Sequence, residues 1–202
     1  MKQHKSFEIP KEQWEKLTFC KFRALVYDQV SEQLIFPIKR CENKLNFDFK
    51  EILENSELYM ADFEKFNDVD EGRYLFYTNE EYNKELEKAI ENIRDKKLKK
   101  EICSFSHYDE EAEWVLMWAH YANSHCGVRI DFKINPSYQG KVYQVKYTNK
   151  RPTYELGQVP QNLIKIMTTK SKCFSYEREY RAITESQDMS HIHISEPKIP
   201  HY

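Results

Sequence analysis

Three short stretches of the chain carry side chains that could do chemistry together. The first ends in Arg23, the second holds Ser104 and Ser106, and the third holds Glu177 and Glu179. A guanidinium can bind a phosphate through two hydrogen bonds, hydroxyls can hydrogen-bond a ribose or an amide, and a carboxylate can stabilise a sugar cation. We therefore expect the three stretches to meet in one cleft that holds a dinucleotide.

The acidic pair lies in the sequence Tyr176-Glu-Arg-Glu-Tyr-Arg181. Residues two apart on a strand project from the same face, so the pattern predicts that Glu177, Glu179 and Arg181 share a face while Arg178 points away. Neighbouring carboxylates repel, so a site must give them partners or let one take up a proton. The alternative is an exposed edge strand whose charges form cross-strand ion pairs.

The serines and the arginine also have an ordinary structural interpretation. Ser104 and Ser106 would share one strand face with Phe105 buried behind them, and both could simply be solvated at a strand end. Arg23 could be a surface ion-pair partner, which contributes little. Residue type alone does not decide between these interpretations and a ligand site.

Other chemical motifs are weaker. His120 and His125 are five residues apart and do not form the HExxH zinc motif. Cys126 follows His125, but nothing in the sequence marks its thiol as an activated nucleophile. The chain contains neither GxGxxG nor a P-loop, which argues against a Rossmann or kinase-like phosphate site.

Hydrophobic periodicity predicts the elements that must position these side chains. Helices and strands alternate irregularly, which favours a single α+β domain with antiparallel or mixed sheets flanked by helices. The domain is expected over residues 19–185, after a leader (1–18) with a short helix following Pro10 and before a polar tail (186–202). The predicted helices are 48–55, 82–100, 111–122 and 161–172, and the predicted strands are 19–27, 102–105, 128–132 and 142–147 (paired with each other), and 174–184.

Composition narrows the class of protein. The 202 residues carry 31 basic and 33 acidic side chains, a net charge of -2, so a broad nucleic-acid surface is not expected. Five cysteines without a CxxC pair indicate a reducing, cytoplasmic compartment. No signal peptide and no run of 18 apolar residues is recognisable, so no membrane partner is expected.

Several motifs together resemble a bacterial and phage family, domain of unknown function 2971 (DUF2971). The resemblance runs from about Phe19 to Ile183, and its elements are Ile52-Leu-Glu-Asn55, Leu58-Tyr59, Phe66-Asn-Asp68, Ser104-Phe-Ser106, Met117-Trp-Ala-His-Tyr121, Gly127-Val128 and Tyr176-Glu-Arg-Glu-Tyr-Arg181. The family label names no activity.

A second resemblance implies an activity. A strand ending in a basic residue, a helix ending in ILEN and a short following strand are similar to the opening of ADP-ribosyltransferases, which cradles NAD. The resemblance implies an ADP-ribosyltransferase-like fold with Glu179 as catalytic glutamate and Glu177 as the preceding member of Glu-x-Glu. It further implies cofactor contacts from Arg23 to the phosphates and from Ser104 and Ser106 to the nicotinamide pocket. His120 and Tyr121, on the predicted helix 111–122, are further candidate contacts to the nucleotide.

The resulting hypothesis is NAD-dependent ADP-ribosyl transfer to a macromolecule, or NAD glycohydrolysis, with NAD as substrate rather than resident cofactor. Phage defence, toxin action or counter-defence would be the setting by analogy. Two alternatives remain open at this point. One is a non-catalytic nucleotide- or protein-binding module, and the other is a metal-dependent hydrolase or nuclease that uses Glu177 and Glu179 as ligands.

Overall fold

The computed structural model describes residues 8–28, 33–35, 49–62, 74–77, 84–110, 114–150, 152–155, 163–185 and 191–200. The helices in these ranges are α1 (Lys11–Trp14), α2 (Phe49–Asn55), α3 (Lys84–Leu98), α4 (Val115–Tyr121) and α5 (Leu163–Met167), with a 3-10 helix at Lys172–Glu177. The strands are β1 (Glu8–Ile9), β2 (Phe19–Ala24), β3 (Val26–Asp28), β4 (Gln33–Ile35), β5 (Glu57–Tyr59), β6 (Ala61–Asp62), β7 (Leu75–Tyr77), β8 (Lys100–His107), β9 (Gly127–Ile134), β10 (Lys141–Gln144), β11 (Lys146–Thr148), β12 (Thr153–Glu155), β13 (Thr169–Ser171), β14 (Glu179–Glu185) and β15 (His191–Lys198).

One large antiparallel sheet organises the described part of the chain. Its strand order is β1-β10-β14-β8-β2-β9-β15-β5, and β6 also pairs with β8. Two short pairs, β11 with β13 and β7 with β12, are parallel. The predicted α+β class is confirmed as a mixed structure with a mostly antiparallel sheet and a few helices.

The two faces of this sheet carry different kinds of buried side chain. The first face, which we call the core face, carries the main apolar cluster, where the Phe19 and Phe105 rings meet edge to face at 4.9 Å. The opposite face, the polar face, carries Cys20 and Phe22, against which α4 packs through Met117. Alternation along each strand therefore sorts neighbouring residues into two separate environments.

Both chain ends of the described part contribute to the sheet, unlike the predicted leader and tail. The short helix after Pro10 is confirmed, and Trp14 is fully buried in the core. The tail prediction is wrong for β15, which pairs with β9 and β5 because Ile192 and Ile194 alternate with exposed residues and are buried. Residues 1–7 and 186–190 lie outside the described ranges.

Two further element predictions need correction. β9 and β10 do not pair with each other, because β9 lies between β2 and β15 while β10 lies between β1 and β14. The helix predicted to reach residue 172 ends at Met167, where the hydroxyls of Thr168 and Thr169 donate to the carbonyls of Ile164 and Lys165.

Within the described ranges, no helix is both long and apolar enough to cross a membrane.

The start of β9 requires a glycine. A Cβ added to Gly127 would lie 2.2 Å from the carbonyl oxygen of Arg23 and 2.8 Å from the Cα of Ala122, both backbone atoms. We predict that Gly127→Ala lowers the free energy of unfolding by roughly 1–3 kcal/mol, because the backbones of β2 and β9 would have to separate. Denaturant unfolding measures this. The substitution Ser124→Ala, at an exposed position in the same turn, should lower the free energy of unfolding by less than about 0.5 kcal/mol. Equal losses for the two variants would contradict the steric explanation for Gly127.

Candidate functional site

The two glutamates are linked through one lysine on the polar face. Lys170 Nζ lies 2.7 Å from Glu177 Oε2 and 3.3 Å from Glu179 Oε2. Tyr121 Oη donates to Glu177 Oε1 at 2.6 Å. Lys170 also lies 4.9 Å from the centre of the Phe174 ring. Hydrogen-bond donors therefore surround the two carboxylates, and the charge of Lys170 reduces the repulsion between them.

Glu177 reaches this network from a helix, not from a strand. It ends the 3-10 helix, and Arg178 follows with a left-handed φ of 45° before β14 begins at Glu179. The prediction of a continuous strand from residue 174, with Glu177 and Glu179 on one strand face, is therefore wrong. The predicted separation of Arg178 is consistent with its exposed ion pair to Asp109.

Arg181 ties down Glu179, as the sequence pattern predicts. Its Nε donates to Glu179 Oε1 at 2.8 Å and its Nη2 donates to Glu179 Oε2 at 3.1 Å. Its Nη1 donates to the Met167 carbonyl at the end of α5. Arg181 is completely buried and Glu179 is nearly so, so this bidentate pair joins β14 to α5 with little exposure of either charge to solvent.

The surroundings shift the pKa values of the two carboxylates in opposite directions. Burial has the largest effect on Glu177 and raises its pKa, outweighing the opposing influence of Lys170 and Tyr121. Burial would also raise the pKa of Glu179, but the guanidinium of Arg181 and the ammonium of Lys170 together lower it. Glu177 is therefore the member of the pair that takes up a proton more easily.

Tyr121 connects the buried pair with the surface. It is 41% exposed at the end of α4, whereas Glu177 is buried. The neighbouring His120 ring lies 6.1 Å from the Tyr176 ring, tilted by 38°. Burial and the contact with Glu177 both raise the pKa of Tyr121, so it is a neutral hydrogen-bond donor at physiological pH. The structure thus brings His120 and Tyr121 to the edge of the carboxylate site.

The serines lie on the same face of the sheet as Glu179. The pairing of β14 with β8 sets Glu179 opposite Ser106 and Arg181 opposite Ser104. The Ser104 hydroxyl is close enough to Glu179 to help lower its pKa, but it makes no hydrogen bond of normal geometry. Ser106 is buried. The contact of these serines with a nicotinamide pocket stays a prediction.

Arg23 does not join this group. β2 pairs with β9 in an unbroken register, and Cys20 lies opposite both Ser106 and Asp131. Cys20 therefore projects from the polar face, and Arg23, three residues further along the strand, projects from the core face. The expectation that the arginine meets the serines and glutamates in one cleft is wrong, because the strand register, which the sequence does not reveal, puts Arg23 on the opposite face of the sheet.

Sequence reasoning missed Lys170 and Tyr147. Tyr147 on β11 lies opposite Lys170 on β13, and its hydroxyl accepts the backbone N–H of Glu179 at 2.8 Å. Both residues enter the site through a short parallel strand pair between segments over twenty residues apart. The sequence carries no periodic signal for such a pair, since each strand has three residues.

No group of three or more His, Cys, Asp or Glu side chains in the described ranges is arranged to hold a metal ion. The oxygens of Glu179 are engaged instead by the cationic groups of Arg181 and Lys170.

Comparison with known proteins supports one of the two resemblances. Residues 117–182 match the model of the family described as Protein of unknown function (DUF2971). The DUF2971 resemblance is confirmed over this segment. The segment is about a third of the chain, and it contains most of α4, all of β9 and both glutamates.

The DUF2971 segment therefore supplies most of the carboxylate network, with Lys170, Glu177, Glu179, Arg181 and Tyr121 all inside it. No curated protein and no solved structure matches the chain. The comparisons give no support to the resemblance to ADP-ribosyltransferases.

The opposite pKa shifts of Glu177 and Glu179 can be measured directly. We predict that the side-chain carboxyl of Glu177 titrates above the ordinary glutamate pKa of about 4.3 and that of Glu179 below it. Carbon-detected NMR of the glutamate carboxyls will report both, with Glu177→Gln and Glu179→Gln to assign the signals. Two curves centred near the ordinary value would contradict the described environments.

The direction of each pKa shift determines how the carboxyl contributes to folding stability at different pH values. Because the folded-state pKa of Glu179 is lowered, its stabilising contribution is fully present above about pH 4.3 and is lost as the pH falls through the folded pKa. The raised pKa of Glu177 has the opposite effect. Its contribution is present below about pH 4.3 and is lost as the pH rises through its folded pKa.

Removing the guanidinium from the buried pair should destabilise the fold. We predict that Arg181→Gln lowers the free energy of unfolding by about 3–5 kcal/mol, because a buried carboxylate loses its main partner. The double variant with Glu179→Gln should recover part of this loss. In denaturant unfolding, the matched surface change Arg178→Gln should cost less than about 1 kcal/mol. A similar loss at both arginines would overturn the assignment.

Proposed function

We propose that this protein cleaves the bond between nicotinamide and ribose in NAD and passes ADP-ribose to a macromolecule or to water. One observation carries the proposal, namely that Glu177 and Glu179 are joined by Lys170 while their pKa values are shifted apart. Carboxylates whose environments push their pKa values apart can divide proton transfer and charge stabilisation between them. Reactions at a sugar C1 with a cationic transition state use such a division.

The proposed reaction needs one bond broken and one formed. The bond between ribose C1′ and the nicotinamide nitrogen breaks, and both electrons leave with nicotinamide, which becomes neutral. The C1′ centre is left as an oxocarbenium-like cation and accepts a lone pair from water or from the acceptor. The proton released by that nucleophile passes to Glu177, whose raised pKa suits a general base.

The geometry favours a different division of roles from the one that the resemblance implies. Glu179 is held by Arg181 and Lys170, so in this proposal it positions Lys170 and keeps negative charge at the site. Glu177 has a neutral partner in Tyr121, which a substrate hydroxyl could replace at the same distance. Glu177 is therefore the proposed catalytic residue and Glu179 the positioning residue.

The surface around Tyr121 would receive the nucleotide. His120 and Tyr176 lie beside it and offer rings on which a base or nicotinamide can stack. Ser104 and Ser106 lie deeper, opposite Arg181 and Glu179, and would contribute hydroxyls to the floor of the site. An ADP-ribosyltransferase-like fold, a cytoplasmic location and a setting in phage defence, toxin action or counter-defence are part of the proposal by sequence resemblance alone.

Incubation with NAD tests the proposal. Nicotinamide release, followed by chromatography, should occur with the wild-type protein and fall by roughly 10²–10⁴-fold in Glu177→Gln. Glu185→Gln is the matched control, since Glu185 is an exposed glutamate at the end of β14 away from the site, and it should keep full activity. Release that is absent in the wild type, or that is unchanged in Glu177→Gln, would contradict the proposed role.

A second candidate function is a non-catalytic nucleotide- or protein-binding module. It is favoured by the burial of both glutamates and by the complete engagement of Glu179 with cationic partners, which suits a structural ion-pair network. In this case NAD or another nucleotide would raise the melting temperature without releasing nicotinamide, since a ligand specific for the folded state stabilises it. A metal-dependent hydrolase is not proposed, because Lys170 and Arg181 occupy the oxygens that would bind the metal.

A further inference from the structure

Two cationic side chains lie next to each other on the core face of β2, and neither has an acidic hydrogen-bond partner among the described residues. Lys21 and Arg23 are two residues apart and therefore share that face. Lys21 Nζ donates to the carbonyl of Ser104 and lies 3.7 Å from Cys103 Sγ, both neutral groups. The Nε of Arg23 is shielded from solvent and has no hydrogen-bond partner.

An anion near these two side chains would stabilise them, because a charge that is shielded from water and unpaired is unfavourable. A lysine can escape by losing its proton, and burial together with the neighbouring Arg23 lowers the pKa of Lys21. Arginine keeps its charge in proteins, so an anion that reaches the shielded Nε of Arg23 would stabilise it. Among the described residues neither cation forms an ion pair, and both are only partly buried, which leaves them open to a ligand.

We propose that Lys21 and Arg23 form a binding site for a phosphate group. Arg23 would donate from Nε and a terminal nitrogen to two phosphate oxygens, which is the usual bidentate arrangement. Lys21 would contribute a point charge from the same side, since residues two apart on a strand are roughly 6.6 Å apart along the backbone and their long side chains can converge. The site is on the opposite face of the sheet from Glu177 and Glu179, so its test does not depend on the outcome of the test of the proposed catalytic function.

Direct observation of the unpartnered nitrogen is the sharpest test. In a proton–nitrogen NMR spectrum, the Nε–H signal of Arg23 should move saturably when inorganic phosphate is added at constant ionic strength. The signal of Arg178, which is exposed and already paired with Asp109, should not move. Arg23→Gln assigns the first signal by its loss, and Arg178→Gln assigns the second. No movement of the Arg23 signal up to tens of millimolar phosphate would overturn the proposal.

Thermal unfolding of the same variants separates a ligand site from an internal ion pair. In a buffer with chloride as the only anion, Arg23→Gln should melt at the same temperature as the wild type or higher, because an uncompensated charge has been removed. Phosphate should raise the melting temperature of the wild type and of Arg178→Gln, while affinity falls at least tenfold in Arg23→Gln. A lower melting temperature of Arg23→Gln in chloride would show that a carboxylate of the chain itself neutralises Arg23, and the proposal would fail.

The source of the phosphate can be distinguished with one more comparison. Inorganic phosphate and glycerol 3-phosphate present the same oxygens, one as a free ion and the other as a phosphomonoester. Tighter binding of the ester would assign the site to a phosphorylated small molecule, and equal binding would assign it to the oxyanion alone. Either result requires loss of binding in Arg23→Gln.

Discussion

The bidentate pair between Arg181 and Glu179 is the interaction on which the rest of the site depends. Both charges are buried on the polar face of the central sheet, where each would be destabilising without the other. The third contact of Arg181, to the Met167 carbonyl, fixes the end of α5 against β14. Because α5 leads directly into β13, that contact also places Lys170, which then links Glu179 to Glu177.

From this pair the network extends outward in a defined order. Lys170 neutralises a second carboxylate that arrives on the 3-10 helix, and Tyr121 satisfies the remaining oxygen of that carboxylate from α4. Glu179 has two cationic partners, Arg181 and Lys170, whereas Glu177 has one, Lys170, and the neutral Tyr121. The inner carboxylate is therefore held ionised, while the outer one is easier to protonate and its partner is partly exposed. This difference in partners is why two chemically identical side chains have pKa values shifted in opposite directions.

Strand alternation made part of this site predictable. Ser104 with Ser106, and Glu179 with Arg181, follow from the period of two alone, and the structure agrees with both groupings. Glu177 could not be placed, because its position depends on a left-handed residue, Arg178, that interrupts the expected strand. Lys170 could not be found at all, since it enters through a parallel pair of three-residue strands that leaves no pattern in the sequence.

Arg23 shows why residue types in the right order do not establish a site. Its side of the sheet is decided by the register of β2 against β8 and β9, which puts Cys20 opposite Ser106. With the register shifted by one residue, Arg23 would have projected from the same face of the sheet as Glu179 and Arg181. Instead the sheet separates the two arginines. Arg181 donates to the Glu179 carboxylate and the Met167 carbonyl, whereas the shielded Nε of Arg23 has no hydrogen-bond partner among the described residues. The same register that completes the carboxylate network thus leaves a guanidinium without an ion pair in the described part of the chain on the other face.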